Sequence, residues 1–289
     1  MSITIIILPV SAQSSQSEPN YTINEYDAYI QIKEMPTDAL LAKGYTSSEI
    51  DTIKNYPIEE KLLELASIPA QELSARGYSD KQISLLKIYN GEPINENSPF
   101  RGIFADLTVT PKNLSASPSS IKISYSWNWS NAPALTGTAI TESIGLGFSG
   151  TNSQSSPMNV KITSSSINVQ YYYNGTRYDD VNSYDIKISD ATSFVKCNFP
   201  AGIQHEDRDG LFYAFAMKGT LTATFSPVAS GNNLHAVTTI FGYDHIAVGD
   251  GISTSISGGI LGFGFNFSGF KMYDGCIIFY SNGSYEDYS

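Results

Sequence analysis

A short polar segment between two apolar runs holds the densest group of residues that could do chemistry. His205, Asp207 and Asp209 alternate there, just before a glycine. Oxygen ligands at alternate positions before a glycine are typical of a calcium loop. An EF-hand loop beginning at Asp207 needs Glu at its twelfth position, where Lys218 stands. We therefore take these three residues as candidate calcium ligands. A tight turn without metal is the simpler interpretation, and no other cofactor is predicted.

Catalytic signatures are sparse in the rest of the chain. Neither the G-x-S-x-G pattern of hydrolases nor the H-E-x-x-H pattern of zinc proteases occurs. His235 and His245 flank a strand-like segment, and Asp244 would point away from His245 on the opposite strand face. We therefore favour a non-catalytic protein. A secreted enzyme with a site near His205 and Asp209 is the alternative.

Tyrosines crowd a predicted hairpin at residues 171–178, which read YYYNGTRY. The central Asn-Gly favours a two-residue turn, and consecutive tyrosines on a strand must face both sides of a sheet. Exposed tyrosine beside Asn and Arg is typical of an adaptable polar contact surface. The candidate ligand-binding residues are Tyr172, Asn174, Arg177 and Tyr178. A hairpin that binds nothing and has tyrosines on its wet face is the alternative.

Residues 20–92 contain an internal repeat, in which 36–56 align with 69–89 at an offset of 33 residues. In each copy a proline opens a short helix, a glycine ends it, and a capping box starts a second helix. Apolar residues at helical spacing form one face of each second helix. The pattern predicts four short helices in a small module, which serves packing or docks another protein.

Residues 100–289 show strand patterns almost throughout, after a linker rich in Pro, Gly and Asn. Every second residue from Ile121 to Trp129 is apolar, and the aromatic ones among them are predicted to face inward. Similar alternations recur between clusters of turn residues, which is typical of antiparallel sheets with one buried face. We predict an α+β fold with segregated parts: the duplicated helical module, then one large antiparallel β-sandwich.

Composition narrows the choice of partners. The formal net charge of −11 and the lack of a basic cluster exclude nucleic acid, which needs Lys and Arg to neutralise phosphates. No run reaches the roughly 20 apolar residues of a membrane-spanning helix. The two cysteines, Cys197 and Cys276, fit either a disulfide or two buried thiols. No motif set of a known family is present.

The first residues predict where the protein works. Residues 3–10 are apolar and small residues lead to Ala12, so residues 1–12 have the form of a secretory signal. No Lys or Arg precedes the run, and a buried strand is the alternative. We predict a secreted protein that binds an extracellular glycan or surface protein. Alternating apolar and small residues at 252–267 make a pore-forming, membrane-active effector a less favoured alternative.

Overall fold

The computed structural model describes residues 19–136, 140–181, 187–190, 194–208, 210–247, 253–256 and 263–288. The predicted signal segment 1–12 and much of 252–267 lie outside these residues. The helices in the described chain are α1 (Glu25–Glu34), α2 (Thr37–Ala42), α3 (Ser47–Lys54), α4 (Ile58–Ser67), α5 (Ala70–Ala75), α6 (Asp80–Ile88) and a 3-10 turn (Pro99–Ile103). The fold is therefore mixed helix and strand, with its helices in the first part of the chain.

Strands make up most of the remaining chain. They are β1 (Tyr21–Asn24), β2 (Asp106–Ser117), β3 (Ser120–Trp129), β4 (Thr141–Thr151), β5 (Pro157–Met158), β6 (Val160–Tyr173), β7 (Thr176–Val181), β8 (Lys187–Asp190), β9 (Phe194–Pro200), β10 (Gly202–Asp207), β11 (Gly210–Pro227), β12 (Ala236–Ala247), β13 (Ser253–Ile256), β14 (Phe263–Asn266), β15 (Phe270–Tyr280) and β16 (Tyr285–Asp287).

These strands form two seven-stranded antiparallel sheets. The first has the order β1-β2-β3-β11-β6-β7, and β10 pairs with the long strand β11. The second has the order β16-β15-β12-β4-β9-β8, and β5 pairs with β4. Strands β13 and β14 form a separate pair. The prediction of antiparallel sheets is confirmed.

Aromatic side chains from the two sheets contact one another. The ring of Tyr125 on β3 stacks on Phe241 of β12 with centroids 4.6 Å apart, and Trp127 stacks on Phe199 of β9 at 5.6 Å. Both β3 residues are buried, so the predicted inward orientation is confirmed. The indole of Trp127 lies against the backbone of Gly219, where an added Cβ would come within 1.9 Å of the ring. Only glycine permits this approach.

The helices cover the other face of the second sheet. Tyr29 of α1 and Tyr56 after α3 both meet Phe270 of β15 edge-on, at 5.2 and 5.5 Å. All residues of β12 except its last are buried. Side chains of the first sheet pack on one face of this strand, and the helices pack on the other. Strand β1 at the start of the helical region pairs with β2. The predicted domain boundary near residues 92–100 stays a prediction.

Local helix signals read from the repeat are confirmed. Capping boxes begin α3 at Thr46 and α6 at Ser79, each with the reciprocal side-chain and backbone hydrogen bonds. Gly44 and Gly77 follow α2 and α5 with φ of 91° and 94°, a conformation that glycine adopts at little cost. The same backbone hydrogen bond then closes each turn, from the tyrosine amide to a leucine carbonyl.

The second helix pair, α5 and α6 with the turn between them, forms hydrogen bonds to the loop between β3 and β4. The hydroxyl of Tyr78 donates to the carbonyl of Pro133 at 3.1 Å. The side-chain amide of Gln82 donates to the carbonyls of Ala132, at 3.0 Å, and Ile103, at 2.7 Å. Buried backbone carbonyls need such donors, because leaving them unpaired costs free energy. The helices therefore provide hydrogen-bond donors for backbone carbonyls that would otherwise need water.

The two copies of the repeat differ at the position that makes this contact. Gln82 corresponds to Glu49, and both accept hydrogen bonds from their capping residue through one side-chain oxygen. Only an amide also carries N–H donors. Gln82 can therefore donate to the carbonyls of Ala132 and Ile103 while its oxygen caps the helix, and Glu49 could not.

We predict that Gln82→Glu lowers the free energy of unfolding by about 2–4 kcal/mol, because it removes both donors and buries a charge against carbonyl oxygens. The reciprocal change Glu49→Gln keeps the accepting oxygen and is expected to cost about 0.5 kcal/mol or less. Urea unfolding of both variants measures the difference. Equal losses in the two variants would contradict the assigned role of Gln82.

The two cysteines are not joined by a disulfide in the structure. Cys197 is buried on β9, and Cys276 is half-buried on β15. Of the two interpretations left open by the sequence, the structure has thiols within the packed sheets.

Candidate functional site

The tyrosine-rich hairpin is formed by β6 and β7. Its turn residues Asn174 and Gly175 have φ of 48° and 71°, as a two-residue turn of the predicted kind requires. The backbone N–H of Asn174 donates to the carbonyl of Ala75 at the end of α5. The hydroxyl of Tyr173 donates to Glu72 of the same helix at 2.9 Å. The hairpin tip is thereby fastened to the helical region.

Strand pairing divides the four predicted ligand residues between two faces. Tyr172 lies directly opposite Arg177, so their side chains share one face, with Asn174 exposed at the turn beside them. Tyr178 lies opposite the fully buried Tyr171 and shares the other face. The structure therefore places Tyr172 and Arg177 on one face of the hairpin and Tyr178 on the other, with Asn174 at the turn between the strands.

A groove lies beside Tyr172, between the hairpin, β3 and the turn after α5. Its volume is about 410 Å³, within the roughly 300–1,000 Å³ of small-molecule sites. The ammonium of Lys218 lies 5.5 Å from the centroid of the Tyr172 ring. The groove combines two aromatic rings, a cation, an amide and hydroxyl groups with a methionine and small residues. Its lining residues are Ala75, Gly77, Asn128, Trp129, Ser130, Tyr172, Gly175, Met217 and Lys218.

The candidate calcium ligands lie at the hairpin of β10 and β11. The ring of His205 stacks on Phe212, with centroids 5.6 Å apart, and also lies 5.2 Å from Tyr178. Asp207 pairs through its backbone with Gly210, while Asp209 lies outside the described residues. Within the described chain, no three His, Cys, Asp or Glu side chains are grouped so that they could hold a metal ion. The calcium site stays a prediction.

The most strongly charged interior site was not predicted from the sequence. The imidazole of His245 lies between two carboxylates: Nδ1 is 2.7 Å from Glu142 and Nε2 is 3.1 Å from Glu25. Glu25 also accepts the backbone N–H groups of Ala134 and Leu135 at 2.8 and 2.7 Å. His245 and Glu25 are 0% exposed and Glu142 is 2% exposed. We call Glu25, Glu142 and His245 the buried triad.

The buried triad holds its histidine in the charged form. Burial by itself lowers the pKa of His245, but the charge of Glu142 and hydrogen bonds to both carboxylates outweigh it and raise the pKa to about 10. Both ring nitrogens therefore carry protons at neutral pH, and each donates to one carboxylate.

Asp244, beside the triad, is engaged separately. Its carboxylate accepts the backbone N–H groups of Ser268 and Gly269, both at 3.0 Å, and the hydroxyl of Ser268. Burial raises the pKa of Asp244 to about 7, although these hydrogen bonds lower it. Ile246, two residues after Asp244, has a φ of 57°. A Cβ added to Gly269 would lie 2.4 Å from the carbonyl oxygen of Ile246. A β-branched residue in this region is strained, so the surrounding contacts must hold it.

We assign the buried triad a structural role, because its side chains are enclosed. It joins α1, β4 and β12, which are far apart in the chain. One sequence signal could have found it. Glu142 stands in a run of small and apolar residues, where an ionised side chain needs a partner. Nothing in the sequence indicated that Glu25 supplies the second carboxylate of the buried triad.

Comparisons with known proteins leave the family open. No family model matches the chain, and no curated protein matches it. Among solved structures, one described as "AvmM Catalyzes Macrocyclization in Alchivemycin A Biosynthesis" is similar at a TM-score of 0.24 and 11% identity, over 50% of this chain and 76% of that chain. No helix in the described chain is long and apolar enough to cross a membrane.

We predict that His245→Gln lowers the free energy of unfolding by about 3–5 kcal/mol near neutral pH, because it leaves two buried carboxylates without their cation. The pKa of His245 rises from 6.5 to about 10 on folding. Its contribution is therefore complete below about pH 6.5 and is lost as the pH rises through about 10.

The measurement is urea unfolding of the wild type and the variant at several pH values. The difference in stability between them should shrink between about pH 6.5 and about pH 10. His235→Gln is the matched control, because His235 is only half-buried and packs against Tyr280 alone among the described rings. A difference that stays constant over this range would contradict the charged state of His245.

Proposed function

We propose that the protein is a non-catalytic binding protein, which recognises a glycan or another cell-surface component through the groove beside Tyr172. The observation that carries the proposal is the groove itself. It has the volume of a ligand site and is lined by an exposed cation, an aromatic ring and uncharged polar side chains. Aromatic side chains with a few well-placed polar groups are typical of such sites.

The groove is also held in shape before any ligand arrives. On one side the hairpin tip is fastened to α5 through Asn174 and Tyr173. On the other, the carbonyl of Gly77 accepts the N–H of Ala132 at 3.0 Å. A site that is already formed loses less conformational entropy on binding than one that must order itself. This favours recognition by the groove over recognition by a mobile loop.

In this proposal the two sheets form a β-sandwich and the helices are a duplicated module on its second sheet. The contacts between Tyr125 and Phe241 support the first part, and the matching capping boxes at Thr46 and Ser79 support the second. The role of the helices is to build one wall of the groove. The signal-like first residues and the low charge content favour secretion, and the binding partner is then outside the cell.

We predict that Tyr172→Ala lowers retention on isolated cell walls or insoluble polysaccharides by about tenfold, because it removes the aromatic side chain that lines the groove beside Lys218. Co-sedimentation of the chain with these materials measures it. Tyr288→Ala is the control, since Tyr288 is 54% exposed and lies outside the groove lining. Tyr178→Ala should retain binding, because Tyr178 packs on Phe212 and His205.

Two results would contradict the proposal. One is that the wild-type chain stays in the supernatant with every wall and polysaccharide. The other is that Tyr172→Ala and Tyr288→Ala reduce retention equally while both variants unfold at the wild-type urea concentration.

A further inference from the structure

We infer that the ligand of the groove is a saccharide that carries an anionic group, and that Lys218 recognises the anion. This inference rests on the proposed binding function and specifies its ligand. It follows from the charge at the groove and from the position of the Lys218 side chain.

The charge of Lys218 is not balanced by the groove. Among the described residues, no carboxylate makes an ion pair with its ammonium. Arg76, on the neighbouring wall, differs because its Nε lies 2.8 Å from Glu72 and its charge is compensated. Although the chain has 28 acidic and 17 basic residues, an exposed cation without a carboxylate partner gives the groove a local positive charge that attracts an anionic group.

The position of the ammonium decides between charged and neutral sugars. Neutral sugars commonly bind by laying a ring face on an aromatic side chain. Here Lys218 lies over the ring of Tyr172, and the hydroxyl of Tyr172 donates to Gln170 at 2.9 Å, which fixes the ring. A ligand that packs on this face of the ring therefore comes close to the ammonium. A negative group on the ligand turns this contact into a charge-assisted hydrogen bond.

The rest of the groove suits hydroxyl groups. Asn128 offers an amide with two donors and one accepting oxygen, and Ser130 offers a hydroxyl. Both are exposed on or just after β3. Together with Lys218 they provide one cationic and two neutral polar contacts, which matches a sugar with several hydroxyls and one acidic substituent.

The experiment uses affinity electrophoresis of the full chain in gels that contain a soluble polysaccharide. Four polymers make two matched pairs: polygalacturonate with its methyl-esterified form, and dextran sulfate with dextran. In each pair the backbone is kept while the charge is removed. We expect a charged polymer to retard the protein and its neutral partner to retard it little. Retardation by polygalacturonate indicates recognition of a carboxylate, and retardation by dextran sulfate indicates recognition of a sulfate.

Two lysine variants test the assignment to Lys218. Lys218→Gln is expected to weaken binding to the charged polymer about tenfold. Lys122→Gln is the matched control, because Lys122 is exposed on β3 in the same sheet but does not line the groove. It removes the same net charge, and retardation should be unchanged. Urea unfolding confirms that both variants are folded.

Three results would overturn the inference. Equal retardation by charged and neutral polymers, abolished by Tyr172→Ala, would contradict the inference that the ligand is anionic but would support the proposed binding function. Equal losses in Lys218→Gln and Lys122→Gln would show diffuse charge attraction instead of a site. If no polymer retards the wild-type chain, the inference fails, and co-sedimentation with cell walls then decides the binding function separately.

Discussion

The arrangement of the whole molecule depends on one buried ionic contact, the carboxylate–imidazolium–carboxylate of Glu25, His245 and Glu142. Charges removed from water are tolerated only when every member of the group is present and hydrogen-bonded. Glu25 arrives from the first helix, whereas the other two residues lie on neighbouring strands of the second sheet. The imidazolium of His245 therefore has both of its carboxylate partners only when α1 packs on the sheet, and the helical region is part of the fold's charge balance.

The same coupling runs through backbone groups of the loop between β3 and β4. Glu25 accepts two of its N–H groups, while Tyr78 and Gln82 donate to its carbonyls. A single loop thus receives complementary partners from both ends of the helical region. This explains why two copies of one repeat are not equivalent. The second copy faces the loop and carries an amide where the first carries a carboxylate, since only the amide can donate.

The proposed binding groove is a consequence of this seating. One of its walls is the end of α5 with the turn after it, and the other consists of β3, β11 and the hairpin of β6 and β7. The groove exists only where the two walls meet, because both contribute lining residues. The strained backbone of Ile246 and the close approach of Gly269 lie beside His245 and Asp244 among buried residues, where tight packing can hold them.

The sequence by itself determined the local structure: the capping boxes, the glycine helix ends, the Asn-Gly turn and the inward aromatic residues of β3 all follow from neighbouring residues. It also placed Tyr172 among the binding candidates. Only the tertiary structure decided that Tyr178 faces the other way, that Lys218 lies over Tyr172, and that Glu25 meets His245. Strand register and helix docking bring these residues together across long stretches of chain, and no local pattern encodes such distances.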